Sequence, residues 1–152
     1  MLEPLEIAFD VECPVEHAFA TFAERFSLWW PRSHSVTQAE GLEVVLEPRA
    51  GGRIYERTPY DVEHDWGEVL VWEPPSRLVY LWHLRFDRAD ATEVEVTFAS
   101  GGPGLTHVRI SHRGWERLGA VGPERRDRNR RGWAGVTEHY RRVAMSFGAS
   151  AD

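Results

Sequence analysis

Seven Trp residues, Trp29, Trp30, Trp66, Trp72, Trp82, Trp115 and Trp133, are the largest chemical resource of this 152-residue chain. Each indole joins a wide apolar surface to one N–H donor, which suits a ligand pocket as well as it suits core filling. Trp29 and Trp30 close a helical pattern at what would be a cavity mouth. Trp82 falls mid-strand opposite the last helix, with Tyr80 two residues before it on the same face. Trp133 and Tyr140 lie on the apolar stripe of that helix. These six aromatics are the expected walls of a cavity. His83 and His112 are the imidazole candidates, each able to titrate near neutral pH as a general base or to serve as a hydrogen-bonded structural residue. Arg57 and Glu68 sit within strands rich in apolar neighbours. Facing inward, they would orient a polar ligand head or act as acid and base; facing outward, they would meet water, and alternation alone leaves both open.

Other chemistry is excluded or unsupported. All eighteen basic side chains are Arg, so no lysine amine is available for a Schiff base. Glu63, His64 and Asp65 are consecutive, so on a strand they point to opposite faces, and with no HxxxH or CxxC pair no metal site is expected. Gly101-Gly102-Pro103-Gly104 is a hairpin turn, because neither a following helix nor a Lys-Ser/Thr pair makes it a phosphate loop. No cofactor is implied. The lone Cys13 has no partner for an internal disulfide and is expected in the core.

A formal charge of -6 argues against nucleic acid as a partner. The run Arg125-Arg126-Asp127-Arg128-Asn129-Arg130-Arg131 is read as the solvated approach to a helix. No window reaches the roughly 20 apolar residues that span a bilayer, and the N-terminus lacks a signal-peptide profile, so the expected location is cytoplasmic.

The elements that must position these side chains follow from periodicity. Leu5, Ile7, Phe9 and Val11 alternate with polar residues as a half-buried strand. Pro14 opens a helix to about residue 26, with Val15, Ala18, Phe19, Phe22 and Phe26 on one stripe. From Leu42 to His112 period two takes over, broken by turns at Gly51-Gly52, Glu73-Pro74-Pro75-Ser76 and Gly101–Gly104, which predicts three antiparallel hairpins. Helical period returns from about 130 to 147, with Trp133, Val136, Tyr140, Val143, Ala144 and Phe147 on one stripe. The expected class is α+β: a curved antiparallel sheet wrapped around a long C-terminal helix, with one or two short helices between strands 1 and 2. It forms one domain over 1–148, with 149–152 as a frayed tail.

Specific stretches carry a resemblance: Trp29-Trp30-Pro31, Pro48 with Gly51 to Glu56, Trp66-Gly67-Glu68-Val69, Pro74 to Leu78 with Trp82-His83, Ser111 to Trp115, and Gly132-Trp133. In this order and spacing the chain resembles the START-like, or SRPBCC, helix-grip (Bet v 1-like) superfamily. The branch it is most similar to is named after the activator of the heat-shock protein 90 ATPase. The resemblance implies a cavity between sheet and C-terminal helix that takes an apolar or aromatic small molecule, in a monomer or homodimer. It also leaves two alternatives: a polyketide cyclase or aromatase, with His83, Glu68 or Arg57 polarising the substrate, and a co-chaperone-like or self-associating interaction domain.

Overall fold

A computed structural model describes residues 2–84 and 86–150, with side chains described as far as Ser146. The chain runs β1 (Leu5–Val11), α1 (Val15–Glu24), α2 (Phe26–Trp29), β2 (Glu43–Leu46), β3 (Arg53–Arg57), β4 (Glu63–Glu73), β5 (Arg77–Trp82), β6 (Thr92–Gly102), β7 (Leu105–Arg113) and α3 (Gly122–Ser150). Short 3₁₀ turns at Arg32–His34, Arg88–Asp90 and Trp115–Val121 join them. The seven strands form one antiparallel sheet in the order β1-β7-β6-β5-β4-β3-β2. The first strand therefore closes onto the last, while β2 to β7 form a meander, and the whole is an α+β helix-grip fold.

Strict alternation assigns the two faces of the sheet. Leu78, Tyr80 and Trp82 of β5, Val94, Val96 and Phe98 of β6, and Thr106, Val108, Ile110 and His112 of β7 are buried on the concave face. Charged residues on the alternate positions form ion pairs on the convex face. Arg113 reaches Glu93 and Glu95 at 2.7 and 2.9 Å, Arg77 reaches Glu95 at 2.6 Å, and Arg109 reaches Glu6 at 2.6 Å. Two bulges in β4, at Trp66 opposite β3 and at Leu70 opposite β5, help the sheet to curl. Gly67 is required there, since a Cβ would fall 1.9 Å from the Leu81 carbonyl oxygen.

The helices differ from expectation in two places. The helix expected over 14–26 is divided at Arg25, whose backbone leaves the helical region (φ -119°, ψ 34°), so that α2 turns Phe26 and Trp29 into the core. The last helix, expected from about 130, starts at Gly122 and runs 29 residues, roughly 43 Å. The arginine-rich run is thus its first turns rather than an approach to it. Arg is a good helix former, and Pro123 suits a first turn where its missing N–H costs nothing. Of the expected stripe, Trp133, Val136, Tyr140 and Ala144 are buried and Val143 is half-buried, whereas the Phe147 side chain lies outside the described residues. Ala149 and Ser150, expected to fray, continue the helical backbone, and Ala151 and Asp152 lie outside the described residues.

Candidate functional site

One pocket of about 380 Å³ opens between the concave face and the N-terminal half of α3. Its apolar wall is Trp30, Trp82, Leu118, Trp115, Trp133 and Val136. The polar positions include Ser33 and His34 beside Trp30, His83, Asp90 and Thr92 from the sheet side, and Arg125, Arg128 and Asn129 from α3, with Phe86 at the rim. Helical spacing explains the wall contributed by α3: Val136, Gly132, Asn129 and Arg125 recur at three- and four-residue steps, so the stripe that is apolar over the core turns polar where the helix overhangs the pocket. Trp30 anchors the opposite side. Its ring centroid lies 5.3 Å from that of Trp82, 5.5 Å from Trp66 and 6.5 Å from Trp133.

Behind the wall lies a hydrogen-bonded chain centred on His112, which is fully buried between β7 and α3. Trp133 Nε1 donates to His112 Nδ1 at 3.0 Å. An indole N–H can only donate, so Nδ1 is bare and the neutral ring carries its proton on Nε2. That N–H then donates to Thr92 Oγ1 at 2.6 Å, and Thr92 donates to the Trp82 carbonyl at 3.3 Å. Trp115 Nε1 donates to the His112 carbonyl at 2.8 Å. Burial pushes the imidazole pKa down from 6.5 to about 3, so His112 is a neutral structural residue that positions Thr92, Trp115 and Trp133.

His83 is placed differently. Its Nδ1 lies 3.1 Å from the Phe86 carbonyl, which can only accept, so Nδ1–H donates and Nε2 carries the lone pair, on a residue that lines the pocket. The Phe86 N–H in turn donates to the His83 carbonyl at 2.7 Å, closing the turn that carries Phe86 to the rim.

The remaining candidates are not on the wall. Trp29, expected at the mouth, is a core residue: Nε1 donates to the Thr21 and Phe22 carbonyls, and the ring packs on Phe22, Phe26 and Tyr140. Tyr140 is buried, donating to the Ala18 carbonyl at 2.7 Å. Tyr80 is wholly buried behind Trp82; burial pushes its phenol pKa well up, and its hydroxyl finds no partner among the described residues. Arg57 and Glu68 belong to the convex face, where Arg57 pairs with Glu43 at 3.4 Å and Glu68 pairs with Arg88, so neither lines this pocket. Trp30, Trp82, His83 and Trp133 are the expected site residues that the fold gathers on the pocket.

Glu56, missed in the sequence, governs the Trp30 side of the pocket. It is buried with no cation paired to it among the described residues, accepting from Val36 N at 2.6 Å, Thr37 N at 3.0 Å, Thr37 Oγ1 at 2.7 Å and Trp66 Nε1 at 2.9 Å. Burial acts to raise its pKa, but the hydrogen bonds from Thr37, Val36 and Trp66 outweigh this and leave it below the ordinary value of 4.5. The carboxylate therefore ties down the segment that follows Trp30, Ser33 and His34. Glu56→Gln replaces one acceptor oxygen with an N–H that faces other donors. It is expected to cost about 2 to 3 kcal/mol in urea unfolding at pH 7. The carboxylate contribution is complete above the ordinary carboxylate pKa and is lost as pH falls through the lowered one, so the gap between wild type and variant should close on acidification. A gap independent of pH would remove the carboxylate from this role. One signal was available: Glu56 shares the inward parity of Ile54.

The family model for activator of Hsp90 ATPase homolog 1-like proteins matches residues 12–142. The chain belongs to this family. It lies within the START-like SRPBCC superfamily, and members with solved structures share its architecture. An anthrahydroquino-gamma-pyrone synthase, solved with a bound compound, is 29% identical with a TM-score of 0.64, over 93% of this chain and 97% of that one. The self-sacrificing resistance protein CalC from Micromonospora echinospora is 26% identical with a TM-score of 0.71, over 97% of each chain. An HSP90 activator from Plasmodium falciparum, 20% identical with a TM-score of 0.54 over 73% of this chain and 72% of that one, shares the fold. A comparison with curated protein sequences returns no match. Among the described residues of this family member, no helix is long and apolar enough to cross a membrane.

Proposed function

We propose that this family member is a binding module for a small, flat, largely apolar aromatic molecule held between the sheet and α3. The observation that carries this reading is the pocket itself: about 380 Å³, walled by Trp30, Trp82, Trp115 and Trp133, with polar groups among them. That is the composition expected of a site that encloses a ligand by apolar burial and orients it with one or two polar contacts. The similarity to the synthase, whose name describes a fused oxygenated ring system, favours aromatic over straight-chain ligands.

Titrating flavonoids, fused hydroxylated aromatics and fatty acids while following tryptophan fluorescence is expected to give micromolar binding, about -8 kcal/mol, for an aromatic class. Trp82→Ala should weaken that binding by about tenfold or more, about 1.4 kcal/mol. Trp72→Ala should leave it nearly unchanged, because Trp72 packs on Phe19 of α1, 5.1 Å between centroids, and takes no part in the wall. Equal losses in the two variants, or no binding in any class, would reject the pocket as a ligand site.

An enzymatic reading of the cyclase kind rests on one group, His83, whose lone-pair nitrogen is placed to accept a proton from a bound phenol or enol. Conversion of a bound ligand that disappears in His83→Ala, with binding retained, would establish it.

A further inference from the structure

We infer that the pocket selects aromatic anions, molecules whose flat ring system carries a carboxylate or an ionised phenol, and that Arg125 is the residue that selects them. The inference rests on the pocket being a ligand site and adds the charge of its occupant. Arg125 lines the pocket from the second turn of α3, and its guanidinium carbon lies 3.7 Å from the Phe86 ring centroid. Stacking engages the flat face of the guanidinium and leaves its in-plane N–H donors at the edge, the geometry in which guanidinium grips a carboxylate. Two guanidiniums line the pocket, and among the described residues Arg125 makes no ion pair, whereas Arg128, one turn on, is mostly exposed and already bound to Glu124 at 3.3 Å. Asn129 Nδ2 donates to the Arg125 carbonyl at 2.9 Å and braces the turn that presents it.

The rim is built from both sides. The turn that holds Phe86 under the guanidinium is closed by the two His83–Phe86 hydrogen bonds, so Arg125 and His83 Nε2 are tied to one element. An aromatic ring against Trp82 and Trp30 would place an acidic oxygen toward Arg125 and a neighbouring hydroxyl toward His83. The chain as a whole carries a formal charge of -6, which repels anions, so a preference for an anion has to come from a local cation.

The test compares 1-hydroxy-2-naphthoate with its methyl ester, the same ring system with and without the negative charge, by calorimetry or fluorescence at low salt. The acid is expected to bind the wild type about tenfold or more tightly than the ester. Arg125→Met should bring the two within about twofold by weakening the acid alone, since Met keeps much of the apolar stem. Arg142→Gln removes the same charge from an exposed position of α3 outside the pocket and should leave the preference intact. Ester binding as tight as acid binding, or a preference that survives Arg125→Met, overturns the anion inference while leaving the pocket as a site for neutral aromatics. Binding of neither compound to the wild type overturns the pocket reading and this inference with it.

Discussion

Trp29→Ala is expected to lower the unfolding free energy by about 3 to 5 kcal/mol, the range for deleting a buried aromatic from a core that cannot collapse around the void. The site offers little relaxation. The indole is 2% exposed, its ring centroid lies 4.4 to 5.4 Å from those of Phe26, Phe22 and Tyr140, and those rings pack against one another and on Phe98. The substitution also strands the Thr21 and Phe22 carbonyls at the end of α1, which now accept from Nε1. Urea unfolding followed by circular dichroism measures the loss. A cost under about 1 kcal/mol, the size expected of a partly exposed rim residue, would return Trp29 to the mouth of the pocket.

Acidification should produce a second large effect through His112. Its pKa in the folded protein lies near 3, below the 6.5 of the free side chain, so between these values the unfolded chain holds the proton and the folded one does not. Where the unfolded state binds more protons, stability rises with pH. The His112 contribution is therefore complete above about pH 6.5 and is lost as pH falls toward 3, by an amount on the order of 5 kcal/mol over the full window. Burial is what keeps the ring neutral, and protonation would also place an N–H on Nδ1 against the Trp133 Nε1–H. His112→Phe removes the titration. The variant starts from lower stability, having stranded Trp133 Nε1 and Thr92, but its urea midpoint should change far less between pH 6.5 and 4.5 than that of the wild type. Parallel slopes in the two proteins would show that His112 takes up its proton within the fold. The Glu56 carboxylate adds its own loss only at lower pH, below 4.5.

The order of elements and the inward faces of β5, β6 and β7 were readable from the sequence, because period two and period 3.6 are local patterns that burial on one face imposes directly. The Tyr140 stripe of α3 was readable for the same reason. Arg57 and Glu68 were not: β3 buries Ile54, Tyr55 and Glu56 in succession, and β4 carries apolar residues on both faces with bulges that shift its register. The start of α3 was hidden because its first turns face solvent and the pocket mouth rather than the core, so the apolar stripe marking the rest of the helix is missing there; yet Asn129 and Arg125 stand four and eight residues before Trp133, in phase with it.

Composition and pattern alone determined that this chain builds a sheet closed over a C-terminal helix with an excess of tryptophan between them, and that a lysine amine plays no part in its chemistry. Which tryptophans fill the core and which line a pocket was decided by tertiary structure. Trp29 and Trp30 are neighbours in sequence, but the break at Arg25 turns one indole into the Phe22–Tyr140 cluster and the other toward Trp82 and Trp133. The environment of His112 was likewise decided by tertiary structure: a donor-only indole 21 residues along the chain fixes its imidazole as a neutral strut. Such assignments depend on contacts between residues far apart in the chain, and no local period encodes them.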